Sequence, residues 1–154
     1  MYDTYVNMAP KDPHAILDAF WAAIHPLKPT SSDAEFEKYA SFVHPEAKLY
    51  FQGPTKPPFI GRQGAIESIK SLLTFWEHVE RRVVARTVSA DGKTAMTEMD
   101  SHLIIMGEPV EHFPELEVAE FDDDGLVVGY RLYCDPQPIM DIIVAKTAAQ
   151  QPAT

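Results

Sequence analysis

Helical periodicity confined to the first half of the chain, followed by long β-patterned runs, predicts an α+β fold in which three N-terminal helices pack in a strongly curved, mainly antiparallel sheet around one pocket. Three observations carry this prediction. The apolar period changes from helical to alternating after Trp76; four β-rich runs follow, separated by turn-forming residues; and those runs reach about a dozen residues, long for a flat strand and suited to a bent sheet.

The helices come first. Asp12-Pro13 is an N-cap and N1 pair, and Ile16, Leu17, Phe20, Trp21 and Ile24 recur at three- and four-residue spacing, which predicts a first helix ending near Pro26. Ser32-Asp33-Ala34-Glu35 has the capping-box form, and Phe36, Tyr39, Ala40 and Val43 give a second helix an apolar stripe, stopped at His44-Pro45. Lys48 to Gln52 reads as a short strand, and the Gly53 to Pro58 segment, with prolines that cannot donate to a ladder, as a loop. After Gly61-Arg62-Gln63-Gly64, the spacing of Ala65, Ile66, Ile69, Leu72, Leu73 and Trp76 predicts the third helix.

The β-rich runs are 79–90, 93–106, 110–121 and 126–135, and the turns between them (Asp91-Gly92, Gly107-Glu108-Pro109 and Asp122 to Gly125) predict an antiparallel meander. The chain of 154 residues reads as one domain over 12–146, with residues 1–11 and 147–154 as flexible ends.

Composition narrows the partners. With 23 acidic against 13 basic residues the formal charge is -10, which repels nucleic-acid phosphates and anionic lipid headgroups, so neither nucleic acid nor a membrane is expected as a partner. No apolar run is long enough to cross a bilayer and the first residues lack secretory features, so the expected location is cytoplasmic. Cys134 is the single cysteine, which excludes an intramolecular disulfide. The histidines lack metal-ligand spacing, so no metal is expected.

From Lys48-Leu49-Tyr50-Phe51-Gln52, through the loop into Gly61-Arg62, to Asp124-Gly125-Leu126 and Arg131-x-Tyr133-x-Asp135, the chain resembles the SnoaL-like branch of the nuclear-transport-factor-2-like superfamily. Within it, the sequence is most similar to limonene epoxide hydrolases and fungal SnoaL-like isomerases and cyclases. The resemblance implies acid–base chemistry without a cofactor on an apolar polyketide or terpenoid-like intermediate, in a homodimer. Tyr50 and Gln52 match the positions where the epoxide hydrolases hold a water. Met99 stands where their arginine should be and Leu132 where their catalytic aspartate should be. A leucine cannot take a proton, so ring opening by that route is disfavoured and isomerase or cyclase chemistry is preferred.

The candidate acid–base residues are therefore Tyr50, Asp100, His102 and Glu117. Glu98, Asp100 and His102 alternate on one strand face, and a carboxylate beside an imidazole can exchange a proton near neutral pH. If the opposite set, Met99 and Ser101, faces inward, Phe113, Glu115 and Glu117 come with it, and a desolvated Glu117 would serve as a general acid. Candidate binding residues are Gln52, Trp76, Met99, Tyr130, Leu132 and Arg131, with Arg131 and Asp135 equally suited to bracing the strand. The same fold can also serve as a non-catalytic binding or dimerisation module.

Overall fold

In a computed structural model, which describes residues 11–51 and 53–150, the elements run α1 (Pro13–Ile24), α2 (Asp33–Ala40), β1 (Val43–Tyr50), β2 (Phe59–Ile60), α3 (Gly61–Leu72), β3 (Trp76–Val88), β4 (Thr94–Ile105), β5 (Glu108–Phe121), β6 (Val127–Cys134) and α4 (Gln137–Ala149). The expected caps are present. Asp12 accepts from the His14 amide, and Ser32 and Glu35 form a reciprocal capping box.

The six strands form one sheet in the order β2-β1-β6-β5-β4-β3. β3 to β6 make the antiparallel meander, and β1 joins it parallel to β6. Register shifts interrupt β3 against β4, and β4 against β5, which bends these long strands around the helices. Leu17, Phe20, Trp21 and Ile24 of α1, Phe36 and Tyr39 of α2, and Ala65 and Ile69 of α3 pack on the inner sheet face, represented by Leu49, Met99, Ala119, Tyr130 and Leu132.

Several boundaries differ from the sequence expectation. The second helix stops at Ala40, and His44-Pro45 lies inside β1, where the pairing with β6 shifts register. Pro45 also fixes the start of α3: at Gly61, with φ +64°, a Cβ would sit 2.1 Å from the Pro45 carbonyl oxygen, so only glycine fits. Trp76 opens β3 instead of closing the third helix. The β4–β5 turn sits one residue earlier than expected, at Met106 and Gly107, both with positive φ.

The largest departure is α4. Residues 147–149, expected to fray, continue a fourth helix that begins at Gln137. Its Ile139, Ile142 and Ile143 rest on a second apolar cluster of Leu103, Ile105 and Phe113, rimmed by Phe75, Trp76, Met106 and Val110. No described helix is long and apolar enough to cross a membrane.

Candidate active site

Alternation along β4 decides which face looks inward. Ala95, Thr97, Met99, Ser101, Leu103 and Ile105 are buried, whereas Met96 and Glu98 are exposed and Asp100, His102 and Ile104 half-buried. On β5 the inward set is Phe113, Glu115, Glu117, Ala119 and Phe121, and on β6 it includes Tyr130 and Leu132. Glu117 is registered opposite Thr97 and Leu132, and Ser101 opposite Phe113. The interior row on β5 thus carries two carboxyls two residues apart.

Glu117 is fully buried, at 0% exposure, and its two oxygens are held by three donors. Trp21 Nε1 of α1 donates to Oε2 at 2.8 Å, Tyr130 Oη of β6 donates to the same oxygen at 2.9 Å, and the Arg81 guanidinium of β3 pairs with Oε1. Arg81 reaches further: its Nη1 donates to Asp18 Oδ1 at 2.9 Å and its Nε lies 3.0 Å from Met99 Sδ, while Arg86 shares Asp18. This chain of charges ties α1, β3 and β5 together. Burial, then the negative charge of Glu117, pushes the Tyr130 hydroxyl well above the ordinary phenol range, so it remains a donor.

Glu115 has different surroundings. It is 8% exposed, and Ser101 Oγ donates to its Oε2 at 2.6 Å. Burial pushes its carboxyl up to about 7, with the neighbouring Glu117 adding to the rise and the Ser101 hydrogen bond and Arg81 opposing it.

On the α1 side, Asp18, Trp21, His25, His78, Glu80 and Arg81 are among the residues lining a depression of about 280 Å³. His25 Nδ1 and His78 Nδ1 lie 3.3 Å apart, and His78 stacks obliquely between Trp21 and Trp76 at centroid distances of 5.1 and 5.7 Å. Burial, together with His25 and Arg81, lowers His78 to about 4, so it is neutral at physiological pH.

The structure brings Glu117, Tyr130, Met99 and Leu132 together inside the sheet, with Trp76 at the junction of the two apolar clusters. It separates the others from them. Asp100 and His102 lie on the outer face, where Asp100 Oδ2 is 2.8 Å from His112 Nδ1, a contact that holds its carboxyl below the usual range. Arg131 is also on the outer face, paired with Glu120 at 3.2 Å. Tyr50 alternates with the inward Leu49 and Phe51 and borders a second depression of about 230 Å³ with Gly53, Lys56, Pro57 and Phe59. Gln52 lies outside the described residues. Cys134 is exposed.

Trp21, Arg81, Glu115 and Ser101, which make the hydrogen bonds of this interior network, were not singled out by the sequence as site candidates. For Glu115 the signal was its two-residue spacing from Glu117. Arg81 and Trp21 lie 36 and 96 residues from Glu117, and nothing local announces those pairings.

No protein-family model matches the sequence, and no curated protein matches it. Solved structures do match. A protein assigned as a polyketide cyclase from Xanthomonas campestris pv. campestris superposes with a TM-score of 0.67 at 14% identity, covering 84% of this chain and 94% of that one. An M. tuberculosis LEH-like epoxide hydrolase gives 0.61 at 19% identity over 90% and 93%, and a steroid delta-isomerase from Pseudomonas aeruginosa 0.59 at 17% over 90% and 93%. The chain therefore has the α+β cone fold of SnoaL-like, nuclear-transport-factor-2-like proteins.

Proposed function

We propose that this protein is an acid–base enzyme of the isomerase or cyclase type that needs no cofactor and acts on an apolar polyketide or terpenoid-like intermediate. The observation that carries the reading is the Glu115 and Glu117 pair. Both carboxyls point into the apolar interior from one strand, yet Glu117 is engaged by a guanidinium and two neutral donors, while Glu115 has one hydroxyl donor and is pushed by burial up to about 7. Neighbouring carboxyls in contrasting surroundings divide acid and base roles. Glu115 takes a proton from the carbon beside a substrate carbonyl, and the electron pair moves to the carbonyl oxygen as an enolate. Glu115 returns the proton to another carbon in an isomerisation, or the enolate attacks a second carbonyl in a cyclisation and the resulting alkoxide takes the proton back from Glu115. In this reading Tyr130 turns its single hydroxyl hydrogen from Glu117, which keeps Trp21 and Arg81, to the developing oxyanion, and Met99, Leu132 and Trp76 supply apolar walls.

The neighbours include proteins described as a cyclase, an isomerase and a hydrolase, and ring and double-bond rearrangements of this kind need no more than an acid, a base and an apolar wall. The test is proton exchange and turnover on a Δ5-3-keto steroid, a terpene epoxide and an aromatic polyketide ester, with Glu115→Gln and Glu117→Gln beside the parent chain. Loss of turnover in at least one folded variant is expected. Full activity in both would overturn the assignment.

A second reading, a non-catalytic binding or dimerisation module, is favoured by the saturation of Glu117: all three donors around it are already engaged, as in a structural ion pair. Unchanged ligand binding in both glutamine variants, with no exchange by the parent chain, would select it. Under either reading the chain is proposed to be a homodimer, joined through the outer sheet face where Met96, Leu116 and Tyr133 are about 40% exposed.

A further inference from the structure

The two carboxyls are shut away from solvent, with Glu117 at 0% and Glu115 at 8% exposure, so any molecule that reaches them requires part of the wall to move. The walls differ in how firmly they are fixed. α1 is clamped by Trp21 to Glu117 and by Asp18 to Arg81 and Arg86, and α2 and α3 bury Phe36, Tyr39, Ala65 and Ile69. α4 has no buried residue. Its apolar side chains run nearly all round it, with Met140 and Val144 46% and 63% exposed, and its last turn is tied to β5 by the exposed pair Lys146 and Glu108. An element with few buried contacts and solvent-exposed ties sits at the low end of local stability.

What α4 covers is continuous with the candidate site. Along β5 the inward row runs Glu117, Glu115, Phe113, and along β4 it runs Met99, Ser101, Leu103, Ile105. Phe113, Leu103 and Ile105 are the floor on which Ile139, Ile142 and Ile143 rest, and Trp76 touches both this cluster and the main core.

We propose that α4 is a movable lid, hinged at Cys134 to Pro136, and that when it lifts, the Leu103-Ile105-Phe113-Trp76 floor binds the apolar end of a ligand whose reactive end reaches Glu115. The lid rests on the acid–base reading only for what the ligand then meets. Its occupant is uncharged and elongated, since the floor offers no cation and the row leads inward over two residues before the first carboxyl.

The test is hydrogen–deuterium exchange of the full chain with and without N-phenyl-1-naphthylamine, a neutral apolar fluorophore. Amides of α4 are expected to exchange faster than those of β4 and β5 and to slow when the fluorophore binds. Lys146→Ala, which removes an exposed tie without touching the floor, is expected to speed α4 exchange and fluorophore uptake about two- to five-fold, the range of one surface ion pair. Exchange of α4 as slow as that of β4, or fluorophore binding that protects the His25 and His78 depression while leaving α4 unchanged, would overturn the lid. Because the readout involves no turnover, an active Glu115→Gln, Glu117→Gln pair together with a mobile, ligand-protected α4 would sink the catalytic reading alone.

Discussion

Tyr130 Oη donates to Glu117 Oε2 at 2.9 Å across the β5–β6 ladder, joining two residues that are each 0% exposed. Neither group has a route to water, so each depends on the other. The Tyr130→Phe variant removes the hydroxyl and leaves Glu117 Oε2 with Trp21 as its remaining donor. Loss of one hydrogen bond to a buried charge costs about 1.5–3 kcal/mol. Equilibrium urea denaturation of the variant should show a loss in that range with an unchanged slope, and if the acid–base reading holds, turnover should fall by more than the stability change explains.

The buried ion pair of Arg81 and Glu117 makes a sharper demand. Removing Arg81 strands Glu117 as an unpaired buried charge, at about 3–5 kcal/mol, and removing Glu117 leaves Arg81 with Asp18 alone, whereas replacing both with apolar residues of similar volume is often neutral or stabilising. Arg81→Met and Glu117→Leu are each expected to be strongly destabilising, and the double variant to recover most of the loss. A double-mutant cycle in denaturant measures this. Additive losses would mean that Asp18, which also binds Arg81, carries the interaction instead.

The fold was legible because its signals are local. The Asp12-Pro13 cap, the Ser32 to Glu35 box and the alternation on β4 each lie within a few residues, and each holds in the structure. α4 was not legible because Ile139, Met140, Ile142, Ile143 and Val144 leave no polar stripe to mark a helical period. The interior site was half legible. Glu117 and Tyr130 could be named from strand alternation, but Asp100 and His102 share the same alternation on the opposite face, and only the packing of α1 against Met99 decides which face is inside. Arg81, at a strand position that reads as solvated, was invisible until the fold brought it to Glu117.

Two buried groups give the protein opposing pH dependences. Glu115 is raised from 4.5 to about 7, so between those values the folded state holds a proton that the unfolded chain releases; its contribution is full below about pH 4.5 and is lost as pH rises through 7. His78 is lowered from 6.5 to about 4, so in that window the unfolded chain holds the extra proton; its contribution is full above about pH 6.5 and is lost on acidification through 4. Each shift of this size is worth on the order of 3 kcal/mol. The two slopes oppose each other from about pH 4.5 to 6.5, so between those limits these two groups should leave stability nearly level. Glu115→Gln, which can still accept from Ser101, should make stability rise with pH across that window, and His78→Gln should make it fall. Denaturation midpoints at half-unit pH steps check both signs.

Glu115 should also set the pH profile of any turnover. If it is the base, kcat/KM rises with pH to a plateau above its value of about 7, whereas a general acid gives the reverse limb. Ser101→Ala removes the hydrogen bond that holds this pKa down, so the inflection should move upward while the carboxyl remains in place. A profile that does not move would place the titrating group elsewhere.

The outer sheet face offers a prediction that is independent of chemistry. Leu116 is registered opposite Glu98 on β4 and Tyr133 on β6, and Met96 opposite Val118, so the exposed apolar side chains form one band across three strands. Leu116→Glu puts a carboxylate in the middle of that band, beside Glu98. In an isolated chain Leu116 is 39% exposed, and a surface change of this kind alters stability by about 0.5 kcal/mol or less. In a dimer joined through this face the new charge would be buried against its symmetry copy, where like charges cost several kcal/mol. Light scattering should therefore show the parent chain as a dimer and the variant as a monomer that still melts cooperatively, at a midpoint that, unlike the parent's, does not depend on protein concentration. Because each chain carries a formal charge of -10, added salt should tighten the parent dimer by screening the mutual repulsion. A monomeric parent chain at high concentration and high salt would leave the band as a solvated surface.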